Sequence, residues 1–231
     1  MCGRFTLTKS GEEVAAAFGL DEVPELGPRY NVAPSQPVAV VRRLAPEAGR
    51  TLAFLRWGFV PRGSEAARPL LNARAETAGQ RAAFREAFAR RRCLLPADGF
   101  YEWQGPSGTP RRQPFHLQIA GGALFALAGL WEPAAEAPGS VAILTTAPNS
   151  LVARIHDRMP LVLNPADYER WLDPGLTSAA ALRPLLGPYP AAHMTAWPVG
   201  PAVNNPRIDD RSCLASSEAS GTPRSGRGEM V

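Results

Sequence analysis

Residues 92–104 read R-C-L-L-P-A-D-G-F-Y-E-W-Q and contain two runs of strand character in quick succession. Arg92–Leu95 and Phe100–Gln104 are rich in the apolar and aromatic residues that favour β-strands. Pro96 and Gly99, which lie between the runs, are typical of a tight connection. This stretch therefore predicts two short strands joined by a turn, and it sets the pattern for the rest of the chain.

Six further runs of the same kind flank this segment on both sides. They are Pro37–Val41, Thr51–Trp57, Pro114–Ile119, Ala123–Leu130, Val141–Thr146 and Thr195–Val199. Helix signals are fewer. The first helix is predicted from a capping box, Ser10 to Glu13, and ends at Gly19. Four more helices are predicted, which start at Thr77, are capped by Asn149, start at Asn164 and span Ser178–Leu186. Because strands and helices do not alternate regularly, we expect an α+β fold in a single domain. Its mostly antiparallel sheet is predicted to curl into a barrel-like core with short helices.

The composition excludes several classes of protein. The chain has 231 residues, of which 45% are apolar, but no run of apolar residues is long enough for a transmembrane helix. The first ten residues lack the apolar core of a secretion signal. Three cysteines without a C-x-x-C pair argue against a disulfide framework and a zinc site. We therefore expect a cytoplasmic monomer that uses no metal and no cofactor.

The charge balance is basic and almost entirely due to arginine. Of 25 basic residues 24 are Arg, Lys9 being the exception, and the formal net charge is +4. Arginine suits phosphate recognition, which is compatible with nucleic-acid binding. A GC-rich genome gives the same arginine excess, so the charge alone does not establish DNA binding.

The end of the chain differs in composition from the rest. From Ser212 onward the residues are mostly small and polar, with many Ser and Gly. Such a segment buries too little apolar surface to fold. We therefore predict a domain over residues 1–211 and a disordered tail over residues 212–231.

Cys2 is the first residue that can carry chemistry. Removal of Met1 would expose it as an N-terminal 1,2-aminothiol, whose amine and thiol both titrate near neutral pH. The amine condenses with aldehydes and the thiol then closes a thiazolidine ring, or the thiolate attacks an acyl carbon. The alternative is that Cys2 is an incidental small residue.

Three other segments carry polar candidates for the same site. Asn72, Arg74 and Glu76 alternate in an extended run, which fits a strand ending at a site or an edge strand with a solvated face. Glu102 lies between two aromatic residues, where burial would raise its pKa for acid–base work, unless it is salt-bridged on an outer face. His156 lies at a turn beside charged neighbours, whereas the two other histidines fit structural roles.

Six motifs in order resemble those of one family, the SRAP (SOS response-associated peptidase) domain. They are Met1–Phe5, Tyr30–Pro34, Trp57–Pro61, Asn72–Thr77, Gly99–Trp103 and Ile155–Pro160. The resemblance spans roughly residues 2 to 205. It implies a protein that senses abasic sites in single-stranded DNA and crosslinks itself to the lesion.

The resemblance also implies roles for individual residues. Cys2 would form a thiazolidine with the ring-opened sugar, Asn72 would hold that sugar, and Glu102 and His156 would supply acid–base catalysis. The residues that would contact DNA are Arg4, Arg74 and Arg158 at phosphates and Trp103 as a stacking face. Lyase activity and an autoproteolytic peptidase activity are further expectations that the family brings.

Two other functions remain open from the sequence. One is an N-terminal-nucleophile cysteine peptidase that does not act on DNA, and the other is a non-covalent binder of single-stranded DNA. One segment also departs from the family pattern, because Arg62–Ala67 lacks the aromatic residue that members often carry there.

Overall fold

The computed structural model describes residues 2–63, 68–105, 112–119, 121–134 and 138–217. The strands are β1 (Arg4–Leu7), β2 (Arg29–Val32), β3 (Pro37–Arg42), β4 (Thr51–Trp57), β5 (Asn72–Arg74), β6 (Arg92–Ala97), β7 (Gly99–Gln104), β8 (Gln113–Ile119), β9 (Phe125–Glu132), β10 (Ser140–Thr146), β11 (Met159–Pro160), β12 (Val162–Leu163) and β13 (Met194–Pro198). The helices are α1 (Gly11–Phe18), α2 (Ala75–Ala78), α3 (Arg85–Arg90), α4 (Tyr168–Leu172) and α5 (Ala179–Leu182).

Five of the strands close into a ring. β3 pairs with β4 and β6, β6 pairs with β9, β9 pairs with β10, and β10 returns to β4. All of these pairings are antiparallel except β10–β4. A closed ring has no free sheet edge among its own strands. The predicted α+β fold, with a mostly antiparallel, barrel-like core and short helices, is confirmed.

A second sheet packs against this ring. Its strand order is β13-β8-β7-β1-β2, and every pairing in it is antiparallel. Phe5 and Phe100 from this sheet share one buried cluster with Val40, Leu95 and Leu127 from the ring. Because β1 lies between β7 and β2, it is an interior strand of this sheet, next to the edge strand β2.

The helices cover the other side of the ring strands. Phe18, Phe88 and Trp171 share a second buried cluster with Leu94 and Leu130. The predicted capping box of α1 is confirmed, since Glu13 N–H donates to Ser10 Oγ (3.3 Å) and Ser10 N–H donates to Glu13 Oε2 (2.9 Å). Among the described residues, no helix has the length and apolar character needed to cross a bilayer.

Two of the helix predictions need correction. The helix expected to start at Thr77 is instead two short helices, α2 and α3, with a non-helical stretch after Ala78. Glu76 therefore lies in α2, not on the strand that carries Asn72 and Arg74. The segment Ser178–Leu186 is also divided, because Pro184 lacks the N–H that would continue α5.

The first residues of the tail predicted to begin at Ser212 have a defined structure. Arg211–Leu214 forms a 3₁₀ turn in which Cys213 is fully buried, and Ser216 bridges to Val199. Residues 212–217 therefore belong to the folded domain. The remainder of the predicted tail, residues 218–231, lies outside the described residues.

Candidate functional site

Cys2 is buried at the start of β1. Its side chain has no exposed surface, and its Sγ lies 4.0 Å from the carbonyl oxygen of Arg4. Burial raises the pKa of the Cys2 thiol far above its ordinary value, and the neighbouring Glu102 carboxylate acts in the same direction. The thiol is therefore protonated at neutral pH, so its use as a nucleophile requires a nearby group that accepts its proton.

Glu102 lies on the strand next to that of Cys2. β7 runs antiparallel to β1, with Tyr101 opposite Arg4. Glu102, the residue after Tyr101, therefore lies at the end of β1 that follows Cys2. The Glu102 side chain is 2% exposed. Burial raises the pKa of the Glu102 carboxyl, and the positive charge that His156 carries when it is protonated opposes that rise. A carboxyl that keeps its proton to higher pH than an ordinary Glu is suited to general acid–base work.

His156 approaches Glu102 from a different part of the chain. It follows a 3₁₀ turn over Val152–Arg154 and precedes β11. Its Nε2 lies 4.0 Å from Glu102 Oε2, which is an electrostatic contact and longer than a hydrogen bond. Its Nδ1 accepts a hydrogen bond from the main-chain N–H of Arg158 (3.0 Å). A neutral ring with this bond carries its proton on Nε2, the nitrogen that faces Glu102, whereas the contact of Nδ1 with Asp157 Oδ1 (2.9 Å) requires a proton on Nδ1.

Asn72 connects the barrel to Cys2. It is the first residue of β5, which pairs in parallel with β10 so that Asn72 lies opposite Ile143. Its Nδ2 donates to the carbonyl oxygen of Cys2 (3.0 Å). Its Oδ1 is buried and has no hydrogen-bond partner among the described residues. Asn72 thus fixes the Cys2 main chain with one atom and offers an acceptor with the other.

The four residues predicted to carry chemistry therefore lie together, although they come from four separate segments. Asn72 contacts Cys2, Cys2 is close to Glu102, and Glu102 faces His156. A cavity of about 380 Å³ opens beside His156, and its walls include Gln104, Arg112, Arg154, Ile155 and Asp157. Among the residues that the structure describes, no three His, Cys, Asp or Glu side chains are grouped so that they could hold a metal ion.

The residues predicted to contact DNA differ in their availability. Arg74 is exposed at the end of β5. Arg4 is half-buried, with Nη1 donating to the carbonyl of Gly3 (2.9 Å), and burial lowers its pKa. The Trp103 indole N–H donates to Asn204 Oδ1 (2.7 Å). Arg158 is held by Glu76 through two bonds of 2.8 Å, so its charge is already compensated.

Two basic residues of the cavity were not identified from the sequence. Arg154 lies two positions before His156, a spacing that could have drawn attention to it. Arg112 lies nine residues after the motif that ends at Trp103, and the sequence around it gave no such signal. Its guanidinium donates to the carbonyl of Trp103 (2.5 Å), which places it at the end of β7 that carries Glu102.

The histidine at position 116 lies apart from this site. His116 is fully buried between Tyr101 and Trp197, with ring centroids 4.8 and 4.9 Å away. Burial lowers the pKa of His116 to about 3, so the ring is neutral. These contacts agree with the structural role expected for it.

The fold and this site define a class of protein in which a cysteine at the start of a central strand lies beside an amide, a carboxyl and an imidazole. Residues 1–206 match the SOS response associated peptidase (SRAP) family, and the chain belongs to that family. Abasic site processing protein YoqW of Bacillus subtilis is 37% identical over 94% of this chain and all of the relative. Abasic site processing protein HMCES of Mus musculus is 30% identical over 83% of this chain and 65% of the mouse protein.

Solved structures support the fold. A protein from Bacteroides thetaiotaomicron superposes with a TM-score of 0.80 at 24% identity, covering 94% of this chain and 100% of that protein. The fold class and the family resemblance expected from the sequence are thus confirmed.

Proposed function

We propose that this protein processes abasic sites in single-stranded DNA by crosslinking itself to the lesion through Cys2. The observation that carries the proposal is the grouping of Cys2 with Asn72, Glu102 and His156 around one buried position. An abasic sugar equilibrates with an open aldehyde, and an aldehyde is the partner that an N-terminal aminothiol selects. The curated relatives named as abasic site processing proteins agree with this substrate.

The first bond forms between the amine of Cys2 and C1′ of the sugar. Removal of Met1 frees the α-amine, whose ordinary pKa near 8 leaves part of it unprotonated at neutral pH. Attack on the aldehyde gives a carbinolamine. Glu102, whose pKa is raised by burial, donates a proton to the carbinolamine hydroxyl, which leaves as water and yields an iminium ion.

The second bond closes the ring. The Cys2 thiol is protonated because burial raises its pKa, and the Glu102 carboxylate left by the first step accepts its proton. The sulfur then adds to C1′ of the iminium ion to give a thiazolidine. Overall, one aldehyde and one aminothiol combine with loss of one water, and Glu102 ends in the protonation state in which it began.

Asn72 and His156 act on the sugar. Asn72 Oδ1, which has no partner among the described residues, accepts a hydrogen bond from a hydroxyl of the opened sugar. His156 directs its Nε2–H toward the ring oxygen as the C1′–O4′ bond breaks, and it assists reversal of the crosslink. In the elimination, the Glu102 carboxylate of the iminium stage takes a C2′ proton, the C3′–O bond breaks, and His156 protonates the departing 3′ phosphate. Lyase activity is part of this proposal for that reason.

The proposal is tested with an abasic single-stranded oligonucleotide on a denaturing gel. Wild-type protein is expected to give a shifted band, and Cys2→Ala and Cys2→Ser to give none, since serine keeps the amine but lacks the thiol. Cys93→Ala and Cys213→Ala are matched controls that remove the other two thiols and retain the band. A full-yield band from Cys2→Ala would overturn the proposal.

A second experiment distinguishes the DNA-linked function from a cysteine peptidase that does not act on DNA. A variant with a longer leader before Cys2 is incubated without DNA, and its N-terminus is read by mass spectrometry. Cleavage before Cys2 together with no DNA adduct from the cleaved protein would favour an N-terminal-nucleophile peptidase. Formation of the adduct after the leader is removed supports the DNA-linked function.

A further inference from the structure

The carboxylate of Glu76 holds a side chain that adjoins the candidate site. Arg158 Nη1 and Nη2 each lie 2.8 Å from one oxygen of Glu76, and Nη2 also donates to the carbonyl of Thr145 (2.6 Å). Arg158 is 17% exposed and Glu76 44% exposed. This two-point geometry fixes direction as well as distance, which a single charge contact does not do. The pair ties α2 and the end of β10 to the turn that follows His156.

The main chain of Arg158 fixes the orientation of His156. The Arg158 N–H donates to His156 Nδ1 at 3.0 Å, so the neutral imidazole carries its proton on Nε2. That nitrogen is the one that faces Glu102. Residues 159–160 are held by pairing of β11 with β10, whereas Asp157 and Arg158 lie outside that pairing. The Arg158 side chain is therefore the anchor for this part of the turn.

A second group competes for the same nitrogen. Asp157 Oδ1 lies 2.9 Å from His156 Nδ1, a contact that would require a proton on Nδ1. Nδ1 cannot both accept from Arg158 and donate to Asp157. The Asp157 carboxylate is 88% exposed and is therefore well solvated, whereas the Arg158 N–H is part of an anchored main chain. This difference in exposure and anchoring favours the Arg158 bond.

We infer that Glu76 is a positioning residue for His156. By anchoring Arg158 it keeps the Arg158 N–H on Nδ1, and so it presents Nε2–H to Glu102 and to the sugar. The inference rests on the proposed function for its catalytic consequence, but the orientation of His156 is a property of the free protein.

The test compares Glu76→Ala and Glu76→Gln with a matched control. Glu86→Ala is suitable, because Glu86 also pairs with an arginine, Arg91 (2.7 Å), and is 62% exposed. The first readout is the ¹⁵N spectrum of labelled histidine side chains in the protein without DNA, at a pH where His156 is neutral. The wild type and Glu86→Ala should show an unprotonated Nδ1 and a protonated Nε2 for His156, and Glu76→Ala a mixture of the two tautomers.

The second readout is the rate of strand cleavage and of crosslink reversal at saturating abasic DNA. General acid–base assistance is worth about 10²–10⁴-fold, so partial loss of orientation should slow both processes about tenfold in Glu76→Ala. Glu76→Gln keeps one oxygen for Arg158 and should fall between Glu76→Ala and the wild type. The affinity for uncrosslinked DNA should not weaken.

The outcomes separate the positioning role of Glu76 from the proposed function. If wild-type protein forms no adduct, the proposed function fails, yet the tautomer measurement still decides the role of Glu76. If Glu76→Ala keeps the wild-type His156 tautomer, the positioning role is wrong. It is also wrong if Glu76→Ala weakens DNA binding while cleavage and reversal at saturation stay at wild-type rates, because that would assign the pair to affinity.

Discussion

Replacing Asn72 by alanine removes one well-defined contact of the site, the 3.0 Å hydrogen bond from Nδ2 to the carbonyl of Cys2. A hydrogen bond between neutral groups contributes about 1 kcal/mol net. That bond keeps the Cys2 main chain, and hence the reactive amine, beside Glu102. Loss of about 1 kcal/mol lowers the population in this position about fivefold, and the crosslinking rate falls at least that much because the variant also lacks the Oδ1 acceptor for the sugar.

Aspartate at the same position tests the direction of the bond. Its second oxygen would replace the Nδ2 donor and face the Cys2 carbonyl as a second acceptor. A buried acceptor left without a donor costs about 1–3 kcal/mol, which corresponds to a rate loss of about 5- to 150-fold. Asn72→Asp should therefore also react more slowly than wild type, although it is nearly the same size as asparagine and keeps an acceptor for the sugar.

A matched control exists at Asn204. There the side-chain oxygen is the atom in use, since it accepts from the Trp103 indole (2.7 Å), so aspartate preserves the contact. The assay is the single-turnover rate of adduct formation with abasic single-stranded DNA in excess. Asn204→Asp should react at the wild-type rate. An Asn72→Asp variant that reacts at the wild-type rate would refute the assignment of Nδ2 as the donor to Cys2.

Three further predictions concern the acid–base groups and the charge. Because burial raises the pKa of Glu102 above its ordinary 4.5, the folded state binds that proton more tightly than the unfolded state, and stability is lost as the pH rises from 4.5 through the folded pKa. Glu102→Gln should therefore melt at a higher temperature than wild type at pH 7, and the difference should vanish below about pH 4. Equal melting curves at pH 7 would contradict a raised pKa for Glu102. His156→Ala should slow strand cleavage and crosslink reversal about 10²-fold or more with little change in adduct formation, and the reverse pattern in time courses would contradict its role. Arg74→Ala should flatten the salt dependence of binding to single-stranded DNA by about 0.7 in log Kd against log salt, whereas tighter binding to intact duplex without salt dependence would exclude this surface.

Much of the fold could be predicted because the longer strands carry their own signal. β4 over Thr51–Trp57 has the predicted bounds, and the strands on either side of Asp98 differ from the prediction by one or two residues. β5 has three residues, and its conformation is fixed by pairing with β10. The sequence of these three residues does not indicate their pairing with β10. It therefore predicts only an extended run with alternating polar residues.

The candidate site could likewise be predicted only in part from the sequence. The chemistry of Cys2 could be predicted from its position after Met1. The chemistry of Glu102 could be predicted from its two aromatic neighbours. That these two residues are neighbours follows from the pairing of β1 with β7, which the sequence does not contain. The bond between Arg158 and Glu76 joins residues 82 apart, and only the assembled barrel shows that this arginine is already paired.

The central claim is that both the amine and the thiol of Cys2 are joined to the lesion, and the most direct measurement is mass spectrometry of the crosslinked N-terminal peptide. Trypsin cuts after Arg4, so the peptide is Cys2-Gly3-Arg4 once Met1 is removed. After nuclease and tryptic digestion under denaturing conditions with iodoacetamide, the account predicts this peptide plus the sugar remnant minus one water. Its sulfur should not be alkylated and its mass should not change with borohydride. A crosslinked peptide with an alkylated sulfur, or an adduct on any other residue, would contradict the account.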